Sequence, residues 1–206
     1  MSMADAFSST WGFLREGGFF MILLGVCSVA AVTVIIFKLI TLKRERHLPT
    51  QLEQEVEKLE REDLAGLSKA FEKGDSTLAR LGQVVMSSMG ISRQEVQAEV
   101  ESSAHEELVK MNSGLAALEV IVTISPLLGL LGTASGLVTV FGDLDSKETI
   151  QRGIATALST TVVGIAIAVP AVIAHSYFSR RVERYAVRLE VLLGRVVSAS
   201  RERVGR

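Results

Sequence analysis

Val120-Ile-Val-Thr-Ile-Ser-Pro-Leu-Leu-Gly-Leu-Leu-Gly-Thr-Ala-Ser-Gly-Leu-Val-Thr-Val-Phe141 contains no charged residue. About twenty such residues are what a helix needs to cross a hydrocarbon core roughly 30 Å thick. Lipid offers no partners to backbone N–H and C=O groups, so the run is predicted to be helical. Phe19–Phe37 and Gly153–Ala174 share the property. Hydrophobic residues make up 48% of the 206 positions and charged residues 22%. A soluble domain can show those averages, but here the two classes stand in separate blocks. A helix buried inside a soluble protein would explain one uncharged run. Three in so short a chain read as an all-α membrane protein with three transmembrane helices. The net charge of −1 gives no support to a nucleic-acid role.

Basic flanks stay in the cytoplasm, which sets the expected orientation. Lys38, Lys43, Arg44 and Arg46 follow the first run, and only Arg15 precedes it. Arg180, Arg181, Arg184, Arg188, Arg195, Arg201, Arg203 and Arg206 follow the third. The loop between runs two and three carries Asp143, Asp145 and Glu148 against Lys147 and Arg152. All flanks agree on an N-terminus outside and a C-terminus inside. The expected organisation is a periplasmic amphipathic segment (1–17), a first span (18–42), a cytoplasmic helical region (43–114), a second span (115–141), a periplasmic loop (142–152), a third span (153–175) and a cytoplasmic helical tail (176–206).

The first run is long enough to span and lacks a basic leader, so it reads as a retained helix rather than a signal peptide. Cys27 follows Leu-Leu-Gly-Val, but valine is too large for the residue before a lipidated cysteine; packing or lipid contact is expected. A single cysteine allows neither an internal disulfide nor a cysteine metal cluster. Phe7, Trp11 and Leu14 form one stripe, which suits a short interfacial helix anchored by Trp11. A docking site for a periplasmic partner is the alternative.

Between Pro49 and Met89, apolar residues recur at Leu52, Val56, Leu59, Leu64, Leu67, Phe71, Leu78, Leu81 and Val85. That spacing predicts short amphipathic helices broken near Gly66, Gly74 and Gly90. Ser92-Arg-Gln-Glu95 reads as a capping box. The stripe Val96, Val100, Ala104, Leu108, Met111 and Leu115 then leads into the second span, predicting one continuous helix from Ser92 to Phe141, about 75 Å long. Asp145 with Glu148 resembles a second capping box. Val182, Ala186, Leu189, Leu193 and Val196 carry a stripe beyond the third span, so helices two and three are expected to leave the membrane as a pair, with bundling or oligomerisation implied.

Small residues crowd the second and third spans. Gly132 and Gly136 form a G-x-x-x-G that lets helix backbones approach closely, as do Gly153, Ala157, Gly164 and Ala168. Gly129, Pro126 and Pro170 are taken as further packing positions. Thr133 and Thr161 each fall ~4 Å outside the midplane at 1.5 Å per residue, so on antiparallel helices their hydroxyls can face one another. Thr160 adjoins them, Ser159 precedes it, and Thr156 lies one turn further out. Each threonine could instead bond only to its own helix backbone. A hydroxyl patch binds a partly dehydrated cation or hydrogen-bonds a carboxylate, yet it carries no proton as an acid or base near neutral pH. No Asp, Glu, Lys, Arg or His lies within Val120–Phe141 or Gly153–Ala174. A titratable mid-membrane group, if needed, must come from a partner chain.

Ser125-Pro-Leu-Leu-Gly-Leu-Leu-Gly-Thr-Ala-Ser-Gly-Leu-Val-Thr-Val-Phe141 and Gly153-Ile-Ala-Thr-Ala-Leu-Ser-Thr-Thr-Val-Val-Gly-Ile-Ala-Ile-Ala-Val-Pro-Ala-Val-Ile173 resemble the last two spans of the ExbB/TolQ/MotA ion-channel family. Three spans and a large first cytoplasmic segment resemble ExbB and TolQ rather than four-span MotA. The resemblance implies a homopentamer in the bacterial inner membrane around the single-span helices of a dimeric ExbD/TolR-like partner. The partner's membrane aspartate would face Thr133 and Thr161, with H⁺, or Na⁺, as the translocated ion. No cofactor is implied. The departure is Thr156, where many relatives carry glutamate in a GIAEAL-like phrase. Arg180 and Arg181 are expected to fix topology or bind anionic phospholipid. Two other functions remain. One is a non-conducting scaffold of the same fold, favoured by the missing glutamate. The other is an intramembrane enzyme, disfavoured because His47, His105 and His175 are scattered and flank the spans.

Overall fold

The computed structural model describes residues 18–58, 64–88, 92–142 and 147–204. All of its regular elements there are helices: α1 (Gly18–Thr41), α2 (Arg44–His47), α3 (Thr50–Glu57), α4 (Leu64–Lys73), α5 (Thr77–Ser87), α6 (Arg93–Asn112), α7 (Leu115–Gly142) and α8 (Lys147–Val204). Among the described residues, three helical stretches are long and apolar enough to cross a membrane: Gly18–Thr41, Leu115–Gly142 and Gly153–Ser200. The amphipathic segment expected over 1–17, the break at Gly90 and the role of Asp145 lie outside the described residues.

The chain forms two units. The first comprises 18–37 with 114–142 and 147–177, and the second comprises 38–58, 64–88, 92–113 and 178–204. In the first unit the core is narrow: Met21, Leu24 and Ala31 of α1, Leu115, Leu118 and Ile121 of α7, and Ala157, Ala168 and Ala171 of α8. The outward residues are equally apolar, among them Phe19, Ile22, Val26, Val29, Leu127, Leu130, Val138, Val162, Ile165 and Ile173. Water would not tolerate so continuous an apolar exterior, whereas lipid tails suit it. The protein is a multi-pass membrane protein. Cys27 is half-buried and free.

The second unit folds around a conventional apolar core. Leu52 and Val56 of α3, Leu67 and Phe71 of α4, and Leu78, Leu81 and Val85 of α5 are buried. Val96, Val100 and Met111 of α6 join them, as do Phe178, Val182, Leu189, Leu193 and Val196 of α8. Ser92 and Glu95 make the predicted capping box in both directions. Gly74 follows the last residue of α4, as expected of a break. Gly66, by contrast, lies inside that helix.

The expectation of one continuous helix is corrected. The helix drawn from Ser92 to Phe141 is interrupted at Ser113–Gly114, where Gly114 takes φ +80°. Asn, Ser and Gly are poor helix formers in succession, and only glycine enters the left-handed region without cost. From the tail of α8, Arg188 reaches Glu53 and Glu57 of α3.

Candidate functional site: a hydroxyl cluster between two spans

Helices α7 and α8 approach backbone to backbone because glycine leaves no side chain between them. A methyl group on Gly129 would come within 2.8 Å of the Thr160 carbonyl oxygen and 2.9 Å of Thr161 Cα. One on Gly164 would lie 2.5 Å from the Ser125 carbonyl oxygen. Gly132 and Gly136 face Thr160 and Ala157 at similar range. Gly153 abuts Val140.

This closeness brings three threonine hydroxyls and two carbonyls together. Thr133 Oγ1 hydrogen-bonds Thr161 Oγ1, lies 3.5 Å from Thr160 Oγ1, and reaches the carbonyl oxygens of Ala157 at 2.9 Å and Gly129 at 3.1 Å. Thr160 reaches the Ala157 oxygen at 2.7 Å and the Gly129 oxygen at 3.1 Å. Thr161 reaches the same Gly129 oxygen at 3.1 Å. The hydroxyls therefore bond across the helix pair as well as along their own helices. Thr160 is closed off at 2% exposure, while Thr133 and Thr161 are only half-buried. The cluster thus has a sealed inner side and an approachable outer side.

Among the described residues, the cluster's hydrogen bonds include neither Thr156 nor Ser159. Both are half-buried, and Ser159 donates to the Ala155 carbonyl of its own helix at 2.8 Å. Pro126 sits within α7 and is half-buried; Pro170 sits within α8 and is exposed. Residues sequence reasoning missed include Ser125, whose hydroxyl is fully buried with no hydrogen-bond partner. It follows the same face as Gly129 and Thr133, at four-residue spacing. The acceptor carbonyls of Gly129 and Ala157 were missed too, since every residue carries one.

The basic positions belong to the second unit. Arg180 is exposed. Arg181 is half-buried, donates from Nε to the Tyr185 hydroxyl at 2.9 Å and lies 5.7 Å from that ring's centre. Burial raises the Glu53 carboxyl, but hydrogen bonds from Arg44 and Arg188 outweigh it and hold the group below its ordinary range. Among the described residues no group of His, Cys, Asp and Glu could hold a metal ion.

Comparison with known proteins identifies relatives of the chain. The model of the MotA/TolQ/ExbB proton channel family matches residues 36–191. The chain is 38% identical over 97 residues to the biopolymer transport protein exbB1 of Vibrio cholerae, covering 44% of this chain and 42% of that protein. It is 29% identical over 150 residues to a putative ExbB-like biopolymer transport protein of Synechocystis, covering 69% and 71%. To the Tol-Pal system protein TolQ of Pseudomonas aeruginosa it is 29% identical over 136 residues, covering 64% and 56%. The chain spans about half the length of most of the curated relatives it matches, as the 42%, 52% and 56% coverages illustrate. The matched family is one of channels rather than enzymes.

Proposed function

Since the chain belongs to the MotA/TolQ/ExbB proton channel family, we propose that it is the channel-forming subunit of an inner-membrane, ion-driven motor. It converts a proton gradient, or a sodium gradient, into mechanical work on a periplasmic or outer-membrane partner. The hydroxyl cluster of Thr133, Thr160 and Thr161 carries this reading. It is a polar cluster on the contact between two apolar helices, and its outer side is open to a neighbour.

Val120–Phe141 and Gly153–Ala174 supply oxygens but no Asp, Glu, Lys, Arg or His. A carboxyl on a single-span partner completes the site, docked against Thr133 and Thr161. Five copies of this chain surround two such partner helices, with the N-terminus periplasmic and the second unit in the cytoplasm. Each charge moving down 100 mV makes ~2.3 kcal/mol available for that work. Thr156 and Ser159 extend the hydroxyl path along α8. Arg180 faces the anionic inner leaflet, and Arg181, braced on Tyr185, lies beside it in sequence.

The test is ion flux in liposomes holding this chain with its single-span partner, under separate H⁺ and Na⁺ gradients. Flux lost on Thr161→Val or on removing the partner's membrane carboxyl supports the channel and names its ion. The second reading, a scaffold without conduction, rests on Thr156 standing where relatives have glutamate. An assembled complex that passes neither ion, and does no gradient-dependent work in cells, establishes it.

A further inference from the structure

His47 is 7% exposed, and its ring is approached from every side within the second unit. Nε2 lies 3.2 Å from the carbonyl oxygen of Thr41, the last residue of α1. Nδ1 lies 3.0 Å from Oγ1 of Thr77, the fully buried first residue of α5. That same hydroxyl lies 3.3 Å from Glu107 Oε2 on α6. Arg80 Nη2 sits 3.4 Å from the hydroxyl and 2.6 Å from the carboxylate oxygen. Lys110 Nζ bonds the other carboxylate oxygen at 3.1 Å. The Tyr185 ring of α8 stands 5.6 Å from the imidazole, with the Arg181 guanidinium 5.7 Å from that ring's centre, and Arg46 adjoins on α2.

The donors and acceptors can be counted. A carbonyl only accepts, so Nε2 carries the hydrogen. In a neutral ring Nδ1 is then a bare acceptor, and Thr77 donates its single hydroxyl hydrogen to it. Glu107 is left to Arg80 and Lys110. If Nδ1 takes a proton from solution, it becomes a donor to Thr77 Oγ1. The hydroxyl hydrogen must then turn, and Glu107 Oε2 stands 3.3 Å away to receive it. No buried group loses its partner in either state, which is what allows two states rather than one.

We infer that His47, Thr77 and Glu107 form a proton-sensing relay, placed by the basic flanks on the cytoplasmic side. Acidification turns the Thr77 hydroxyl from imidazole to carboxylate and draws Glu107 from Arg80 towards the His47–Thr77 pair. Arg80 is the group that yields: its side chain is 45% exposed, and its Nη1 holds the Asp75 carbonyl oxygen at 3.0 Å and the Asp75 carboxylate at 3.6 Å whichever way Glu107 turns. Burial pushes the imidazole below its ordinary 6.5; the Thr41 carbonyl and Glu107 oppose that shift, and Arg46 and Arg80 reinforce it. The ring is therefore neutral at neutral pH and charges on acidification.

The experiment uses the full chain in lipid nanodiscs with isotope-labelled histidine, in a His105→Gln, His175→Gln background that leaves one imidazole. Nitrogen shifts are expected to show the Nε2–H tautomer above pH ~7 and protonation only below the ordinary histidine range. Arg80→Gln should raise the midpoint and Glu107→Gln lower it, each by about half a pH unit. Three results overturn the relay: an Nδ1–H tautomer, a ring still neutral at about pH 5, or a midpoint that Arg80→Gln leaves unmoved. Arg80 is surface-facing, so that variant is expected to fold even where Glu107→Gln does not. No readout depends on ion flux, so the relay and the channel reading fail separately.

Discussion

Gly164→Ala adds one methyl group where α7 and α8 touch, and the structure says how far the helices must move. The new carbon would meet the Ser125 carbonyl oxygen at 2.5 Å, with Gly129 Cα at 3.2 Å and Gly129 N at 3.3 Å. Each neighbour is backbone, so no side chain can swing aside. Ordinary contact begins at 3.4 Å, which requires the helices to part locally by about 0.9 Å. One turn away, Thr161 and Thr160 reach the Gly129 carbonyl at 3.1 Å. Most of that displacement, passed along stiff helices, takes both bonds past hydrogen-bond range. Overpacking of this kind costs about 1–3 kcal/mol, and each lost interhelical bond adds roughly 0.6 kcal/mol in a membrane. The expected loss is about 2–4 kcal/mol by denaturant titration in mild detergent, with ion flux lost as well. Gly194→Ala is the control, since nothing lies within 4 Å of its added methyl; helix propensity alone predicts a gain of up to ~1 kcal/mol. A Gly164→Ala protein within about 0.5 kcal/mol of the parent, with Thr133 still coupled to Thr161, would refute the close-contact argument.

Thr133→Val and Thr161→Val each remove one cluster hydroxyl at nearly constant volume; flux should fall about tenfold or more while the oligomer persists in native electrophoresis. Their double-mutant cycle should return a coupling near 0.6 kcal/mol and no greater than about 1.7, and additivity would dissolve the pair. Lys38→Met keeps the volume of a fully buried side chain but deletes its 2.7 Å bond to the Met111 carbonyl near the end of α6; thermal melts should show a loss of about 1.5–3 kcal/mol. Two pH windows follow by linkage. Glu53, held below its ordinary 4.5, contributes stability that is full above that value and disappears as pH falls through its folded value, because the unfolded chain binds the proton first. His47, held below 6.5, makes the protein less stable as pH drops under 6.5, again because the unfolded chain binds the proton first; His47→Gln should flatten that segment of a stability–pH curve and leave the lower one.

How much was legible in the sequence depended on how local each feature is. The Ser92–Glu95 capping box could be read because its partners are three residues apart, and the spans because lipid imposes one uniform demand over their whole length. The antiparallel facing of Thr133 and Thr161 followed from depth alone. The interruption at Ser113–Gly114 was overridden by a stripe, Met111 to Leu115, that stays buried on both sides of the break. There the local poverty of Asn112-Ser113-Gly114 as helix formers was the better signal. The partners of His47 and Arg188 were out of reach: Thr77 is 30 residues from His47, and Glu53 is 135 from Arg188. Three scattered histidines read as noise until the chain brought a hydroxyl and a carboxylate to one of them.

The cluster's own hydrogen count bears on what it can accept from a partner. Five oxygens converge, three hydroxyl and two carbonyl, and they hold three hydrogens between them. Each hydrogen already has an internal acceptor, and lone pairs remain in surplus. A carboxylate anion needs donors, so docking one would pull hydroxyl hydrogens away from the Gly129 and Ala157 carbonyls. A protonated carboxyl brings its own hydrogen and donates into the surplus with nothing broken. On the proposed reading, the site therefore favours the partner's acid in its neutral form, and low dielectric pushes in the same direction. On that reading the partner would arrive loaded and leave once the proton is lost, with no Asp, Glu, Lys, Arg or His in Val120–Phe141 or Gly153–Ala174. The oxygens bond to one another directly, so a cation would sit beside the cluster on its half-open side and meet only Thr133 and Thr161. Two hydroxyls from this chain, even with a partner carboxyl beside them, are a poor replacement for a hydration shell. The proposed reading thus favours protons over sodium, and a partner carboxyl whose infrared carbonyl band stays that of the ionised form throughout turnover would refute this ordering.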